Sequence, residues 1–316
     1  MGFEALLGNE GLKKDLSAAR AAGRLAHFYL ISGPEGSGKH TLADLLAASM
    51  LCTGPDAPCG ICNACRKVLS HTHPDDITVD DPEKKIIPVR LIREARADIY
   101  IRPNEGTKKI YRFPRGQDLN LEGQNALLKV LEEPPEYGVF LLLCDNPEKL
   151  LPTIRSRCVE LKLRPIPENA LKAVLAKEFP DADGSALSAA VQRSGGYLGQ
   201  ARKILSGSGY SETTAAFAAA YAGRNTLELL RILVPMEKWK RDALIPVLEE
   251  WTDVLEQALA VRSGMPALSP LSGDIAAVRS PRELMQAVQA LQKAADYARG
   301  NVSCAAVCAW LQWELR

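Results

Sequence analysis

The stretch Phe28-Tyr-Leu-Ile-Ser-Gly33-Pro-Glu-Gly-Ser-Gly38-Lys39-His-Thr41 decides the fold. An apolar run of β character leads into Gly33-x4-Gly38-Lys39, and residues 41–51 continue with helical spacing. Strand, glycine-rich turn and helix in that order are the context a phosphate-binding loop requires. Gly33, Gly36 and Gly38 let backbone N–H groups wrap a phosphate chain, the helix N-terminus adds positive potential, and Lys39 neutralises the outer phosphates. Nucleotide, ATP or ADP, is the expected ligand, with His40 and Thr41 the next residues on the helix.

Outward from the loop, short β-type runs recur at 76–79, 110–113, 139–144 and 159–163, and a helical run at 119–133 stops at Pro134-Pro135. Strands alternating with helices predict an α/β domain with a parallel sheet covered on both faces. From residue 166 the texture becomes helical, with short runs at 168–179, 185–193 and 199–205. Longer ones follow at 211–222, 226–233, 239–262, 280–299 and 301–316. Ser280-Pro-Arg-Glu283 is a helix start, with Ser as N-cap, Pro at the first position and Glu three residues on. Residues 264–273 read as a linker, and Trp251, Trp310 and Trp313 as core or interface packing. The expected division is 1–165, 166–207 and 208–316.

Composition excludes several classes. Of 316 residues 47% are hydrophobic and 24% charged, an ordinary globular mixture, and Lys+Arg at 39 against Asp+Glu at 38 leaves a net charge of +1. No global charge excess points to nucleic acid. The apolar run at 139–144 is far short of the roughly 20 residues of a membrane helix, and the N-terminus shows no secretion signal, so a cytoplasmic protein with no membrane partner is expected. Residues 84–115 carry ten basic side chains against three acidic ones, a stretch that could meet DNA phosphates, acidic partners or solvent.

Four of the eight cysteines fall within fourteen residues as Cys52-x6-Cys59-x2-Cys62-x2-Cys65. Thiolates at this spacing can wrap a tetrahedral Zn²⁺, and a closed four-sulfur site would be structural. An iron–sulfur cluster could use similar ligands, but structural zinc suits the site better. His71 and His73 are close enough in sequence to be spare ligands.

The loop departs from a hydrolase. The hydroxyl that should follow the lysine and hold Mg²⁺ is His40, and Thr41 points about 100° further round the helix. The strand at 110–113 runs into Pro114 and Arg115, where a carboxylate pair should hold the metal and polarise water, and Asp118 lies four residues past the first of these positions. Three departures in two motifs predict an NTPase fold without hydrolysis.

Gln124-Asn-Ala-Leu-Leu-Lys-Val-Leu-Glu-Glu-Pro-Pro135 and Leu150-Leu-Pro-Thr-Ile-Arg-Ser-Arg-Cys158 resemble the bacterial clamp-loader subunits of the DNA polymerase III holoenzyme. The four-cysteine insertion at 52–65, His73-Pro74-Asp75 and Arg102-Pro103 match that family as well. The resemblance covers residues 1–205. It implies an AAA+ P-loop domain with a zinc-binding insertion, a small helical lid and an all-helical collar that oligomerises. The family contains an ATP-hydrolysing tau/gamma subunit and a delta-prime subunit that typically does not hydrolyse ATP; His40, Pro114 and Arg115 make this chain look like the latter. By the resemblance, Arg157 would be an arginine finger entering the ATP site of a neighbouring tau/gamma subunit, Asn146 the polar residue facing a γ-phosphate, and Gln200 would stand where the family's lid arginine is found. Implied partners are tau/gamma and delta subunits in a hetero-oligomeric ring, with sliding clamp and primer-template DNA reached through the assembly. Independent catalysis is not expected, although the assembly serves a nucleotidyltransferase, DNA-directed DNA polymerase. The alternative is an ATP-hydrolysing tau/gamma-type motor or related AAA+ NTPase.

Overall fold

The structure, a computed structural model, describes residues 2–180, 182–206, 210–267, 269–300 and 302–315. The chain packs into two compact units. The first comprises residues up to Ala170 together with Gly196–Gln200, and the second comprises Leu171–Gly195 and the chain from Ala201 onward. The boundary expected at 207/208 lies outside the described residues.

In the first unit, strands β1 (Phe28–Ser32), β2 (Asp76–Thr78), β3 (Lys109–Phe113), β4 (Gly138–Cys144) and β5 (Val159–Lys162) form one parallel sheet in the order β2-β3-β4-β1-β5. All five strands expected from sequence are present. β1, β3 and β4 are interior and buried along their whole length, which is why Val139-Phe-Leu-Leu-Leu-Cys144 is continuously apolar, whereas edge strand β5 buries only Leu161. Successive side chains of β1 feed opposite faces. Tyr29 and Ile31 pack with Leu42, Leu45 and Leu46 of α2 (Lys39–Leu51), and with Leu16 of α1 (Glu10–Ala21). Phe28 and Leu30 pack against Ile92 of α4 (Val89–Asp98), numbered after α3 (Asn63–Leu69), and against Leu127 of α5 (Leu121–Glu132). Asn120 caps α5 by accepting from Gly123 N at 2.8 Å. Short α6 (Pro152–Arg155) precedes β5. His73-Pro-Asp75 is a loop staple: His73 Nδ1 accepts from Asp75 N, and the buried Asp75 carboxylate accepts from the backbone N–H groups of Asn104, Glu105 and Gly106.

The helices continue as α7 (Glu168–Glu178), α8 (Gly184–Arg193), α9 (Leu198–Ser206), α10 (Glu212–Ala222), α11 (Thr226–Met236), α12 (Arg241–Arg262), α13 (Pro270–Val278), α14 (Pro281–Arg299) and α15 (Cys304–Glu314). α10 to α15 share one apolar core around Trp251, whose ring stacks on Phe217 with centroids 4.0 Å apart, while Trp313 is exposed. The capping box at Ser280 and Glu283 forms as the sequence indicates. The linker expected at 264–273 needs correction, because α13 begins inside it at Pro270. A second capping box, Ser269 with Ser272, starts that helix within a stretch rich in Pro, Ser and Gly. Among the described residues no helix is long and apolar enough to cross a membrane.

Candidate functional site

The parallel pairing of β1 with β4 builds the site. Their register sets Ser32 opposite Cys144, so the next residues, Gly33 and Asp145, emerge side by side at the carboxyl ends of the strands. Gly33 N donates to Cys144 O at 3.2 Å, tying the start of the loop to the end of β4. Gly36 and Gly38 take positive φ, and a Cβ on Gly36 would stand 2.7 Å from Gln200 N. That close approach requires glycine: Gly199 N donates to Gly36 O at 2.9 Å, and Gln200 Nε2 to Glu35 O at 3.1 Å. Gln200 therefore contacts the loop itself. The Ser37 hydroxyl, in a residue only 7% exposed, has no hydrogen-bond partner among the described residues, as expected of a cradle built for a polar ligand.

Lys39 is buried, and its Nζ donates to Gly33 O at 2.8 Å and Pro34 O at 2.9 Å and pairs with Asp145 Oδ1 at 2.5 Å. The resemblance points to Asn146 as the polar residue here. In the structure the Asn146 side chain is used locally, accepting from Glu148 N at 3.1 Å, and its neighbour Asp145 is the residue that faces Lys39. Gln117 holds Asp145 in place by accepting from its backbone N–H at 3.2 Å. No one-dimensional signal distinguished 145 from 146; only the β1–β4 register does. His40 and Thr41 are exposed at the start of α2. Desolvation, and then the Lys39 charge, hold the His40 imidazole below its usual value, so it is neutral at pH 7.

At the end of β3 the carboxylate positions are filled as read, by Pro114 and Arg115. The Arg115 guanidinium is turned to Asp80 at 2.6 Å and Asp118 at 3.3 Å, which also takes up the nearby acid. Within β3, buried Arg112 forms a bidentate pair with Asp76 and a further bond to Asp44. Lys109, equally buried, pairs with Asp98 at 2.8 Å. Arg90 and Arg93 pair with Glu94 and Glu122. At least five of the ten basic side chains at 84–115 are thus bound to carboxylates, and the stretch is not a uniform cationic face.

Arg157 lies exposed after α6, donating to Thr153 O at 3.1 Å and to Glu132 Oε1 at 3.2 Å. Buried Gln124 of α5 braces the segment leading to it: Gln124 Oε1 accepts from Leu151 N, and Nε2 donates to Leu119 O and Lys149 O.

The Sγ atoms of Cys52, Cys59, Cys62 and Cys65 lie within 4.8 Å of one another and could hold a metal ion. Backbone N–H groups of Gly54 and Cys59 point at Cys52 Sγ, that of Cys62 at Cys59 Sγ, and that of Cys65 at Cys62 Sγ, all within 3.5 Å. Such donors favour thiolate over thiol. Burial pushes the Cys62 thiol up, but the N–H groups of Cys65 and Thr53 outweigh it and bring it down to about 5; burial pushes buried Cys65 up to about 12. Among the described residues the cluster contains these four cysteines and neither His71 nor His73.

A five-stranded parallel sheet in this order, with a phosphate-binding loop between β1 and α2 and further helical segments C-terminal to it, defines a P-loop α/β protein. The family model for the DNA polymerase III delta subunit matches residues 8–167, half of the chain, and the chain belongs to that family. It is 39% identical over 176 residues to the DNA polymerase III subunit delta′ of Pseudomonas aeruginosa, covering 54% of this chain and 53% of that one. It is 36% identical over 177 residues to the gamma/tau subunit of Mycobacterium tuberculosis, covering 55% and 31%. It is 32% identical over 308 residues to the tau subunit of Escherichia coli, covering 90% and 48%. The chain thus spans between a third and about half of the length of these curated relatives. The resemblance to the DNA polymerase III clamp-loader subunits is borne out at the level of the family.

Proposed function

We propose that the chain is the delta-prime-type member of the DNA polymerase III clamp loader, a ring subunit that does not hydrolyse ATP and acts on its neighbour. The observation carrying this reading is the end of β3, where Pro114 and Arg115 replace the metal-holding and water-polarising carboxylates and Arg115 is bound to Asp80 and Asp118. Arg157 is the finger. Its guanidinium is exposed, held among the described residues by Glu132 and one carbonyl, and can swing to a γ-phosphate presented by a tau/gamma subunit. A donated guanidinium stabilises charge spreading onto the transferring phosphoryl group, an effect of roughly 10³–10⁵ in rate at one site. Residues 166–207 act as the lid and 208–316 as the collar. One structural Zn²⁺ is held by Cys52, Cys59, Cys62 and Cys65, a donor set that closes a tetrahedral shell. Sliding clamp and primer-template DNA are reached through the assembled ring.

The similarity to tau and gamma/tau subunits supports a second reading, an ATP-hydrolysing motor. One experiment separates the two: clamp loading and ATP turnover in a reconstituted loader carrying Arg157→Ala or Lys39→Ala in this chain. The first reading expects Arg157→Ala to lower both partially, because other interfaces keep their own fingers, and Lys39→Ala to change little. A damaging Lys39→Ala with a silent Arg157→Ala would establish the motor.

A further inference from the structure

The loop is built, yet its lysine is already engaged. Lys39 Nζ has three oxygen partners, Gly33 O, Pro34 O and the Asp145 carboxylate, and three is the number of donors an ammonium has. In a working loop that ammonium reaches the outer phosphates. Here Asp145 Oδ1, at 2.5 Å, takes the third of its donors, leaving none for a terminal phosphate oxygen. The contact is set by the framework: β4 pairs with β1 up to Cys144, Gln117 accepts from the Asp145 backbone, and Asn146 caps the turn that follows. The carboxylate is half-exposed, so it carries its charge into the mouth of the loop. Pro114 and Arg115 at the end of β3 and a neutral imidazole at 40 supply no carboxylate to hold a cation that would offset that charge.

We infer that Asp145 is an internal counter-ion for Lys39, a specificity-determining residue that excludes a terminal phosphate from the loop and makes this chain a poor binder of nucleoside triphosphates. Two negative groups then compete for one cation, and the triphosphate must displace the carboxylate and remain beside it. The Ser37 hydroxyl, without a hydrogen-bond partner among the described residues, stays available, so the cradle would still take a phosphate once the carboxylate is neutral. Nothing in this lock depends on Arg157 or on partner subunits.

The test is equilibrium binding of mant-ATP and mant-ADP with Mg²⁺ to the full chain. Asp145→Asn keeps the shape and removes the charge. It is expected to tighten mant-ATP at least tenfold, equivalent to about 1.4 kcal/mol, and mant-ADP by less. Asp145→Ala should gain similarly, which guards against a folding defect peculiar to Asn, and Lys39→Ala added to Asp145→Asn should abolish the gain. The inference is overturned if the wild type already binds mant-ATP at micromolar Kd, if neither variant gains, or if the gain survives Lys39→Ala. Weaker Mg²⁺-dependent binding in Asp145→Asn would also overturn it, by making Asp145 a cation ligand. Hydrolysis is a separate readout: turnover by Asp145→Asn would defeat the non-hydrolysing reading and leave the counter-ion role standing.

Discussion

Removing the zinc proposed for the four-cysteine site should cost the first unit stability by an amount the geometry sets. The ligands close a loop of fourteen residues, Cys52 to Cys65, between the end of α2 and the middle of α3. Pinning the ends of a loop that long removes denatured-state entropy equivalent to about 3 kcal/mol, if a metal clip is treated like a covalent cross-link. For a unit of this size each kcal/mol moves the midpoint by roughly 2–4 °C, so chelation or Cys65→Ala should lower the transition of the first unit by about 6–12 °C. Hydrogen exchange should show the lost protection at the end of α2 and in α3, while α10 to α15 keep theirs. The uptake is also pH-dependent in a definite sense. Cys62, at about 5, is already thiolate at pH 7, whereas Cys65, at about 12, is a thiol that must give up its proton to the metal. Zinc binding at pH 7 should therefore release at least one proton, and affinity should rise with pH. Calorimetry in buffers of different ionisation enthalpy counts the protons, and elemental analysis identifies the ion. A midpoint shift below about 1 °C, binding without proton release, or iron in place of zinc would refute the reasoning.

Arg112→Met should cost roughly 3–5 kcal/mol in urea unfolding, because it strands the Asp76 carboxylate, 2% exposed, without its bidentate partner; adding Asp76→Asn should recover part of the loss. Glu283 is held at about 2, well under its usual 4.5, by the Ser280 backbone N–H first, then the Ser280 hydroxyl and Arg279. A depressed carboxyl stabilises the fold above its unfolded value, so α14 should lose stability progressively as pH falls from about 4.5 towards 2. Thermal melts across that range should show the slope, and Glu283→Gln should flatten it.

Much of the site was readable because its signals are local. A glycine-rich turn between an apolar run and a helix, four cysteines within fourteen residues, and Ser-Pro-x-Glu before a helical pattern each act through neighbours a few positions away. The missing carboxylates at 114 and 115 were equally visible, because the strand that should present them ends beside them. α13 escaped because its start is made of Ser269 and Ser272, residues whose composition says loop and whose reciprocal bonds say helix.

What lay beyond the sequence depends on strand order and register. Which strand lies beside β1 decides that Asp145, and not Asn146, meets Lys39; a slip of one residue would exchange them. The same topology brings Asp44 and Asp76 to Arg112, and Asp80 to Arg115, cancelling much of a basic stretch that looks exposed when read along the chain. Gln200 reaches a loop more than 160 positions away through a glycine-on-glycine contact that no pattern encodes. Sequence alone determines the elements and the chemistry each can offer, because backbone propensity and motif spacing are short-range. Only the tertiary structure decides which charges face one another, because pairings between distant segments follow from how the sheet is assembled.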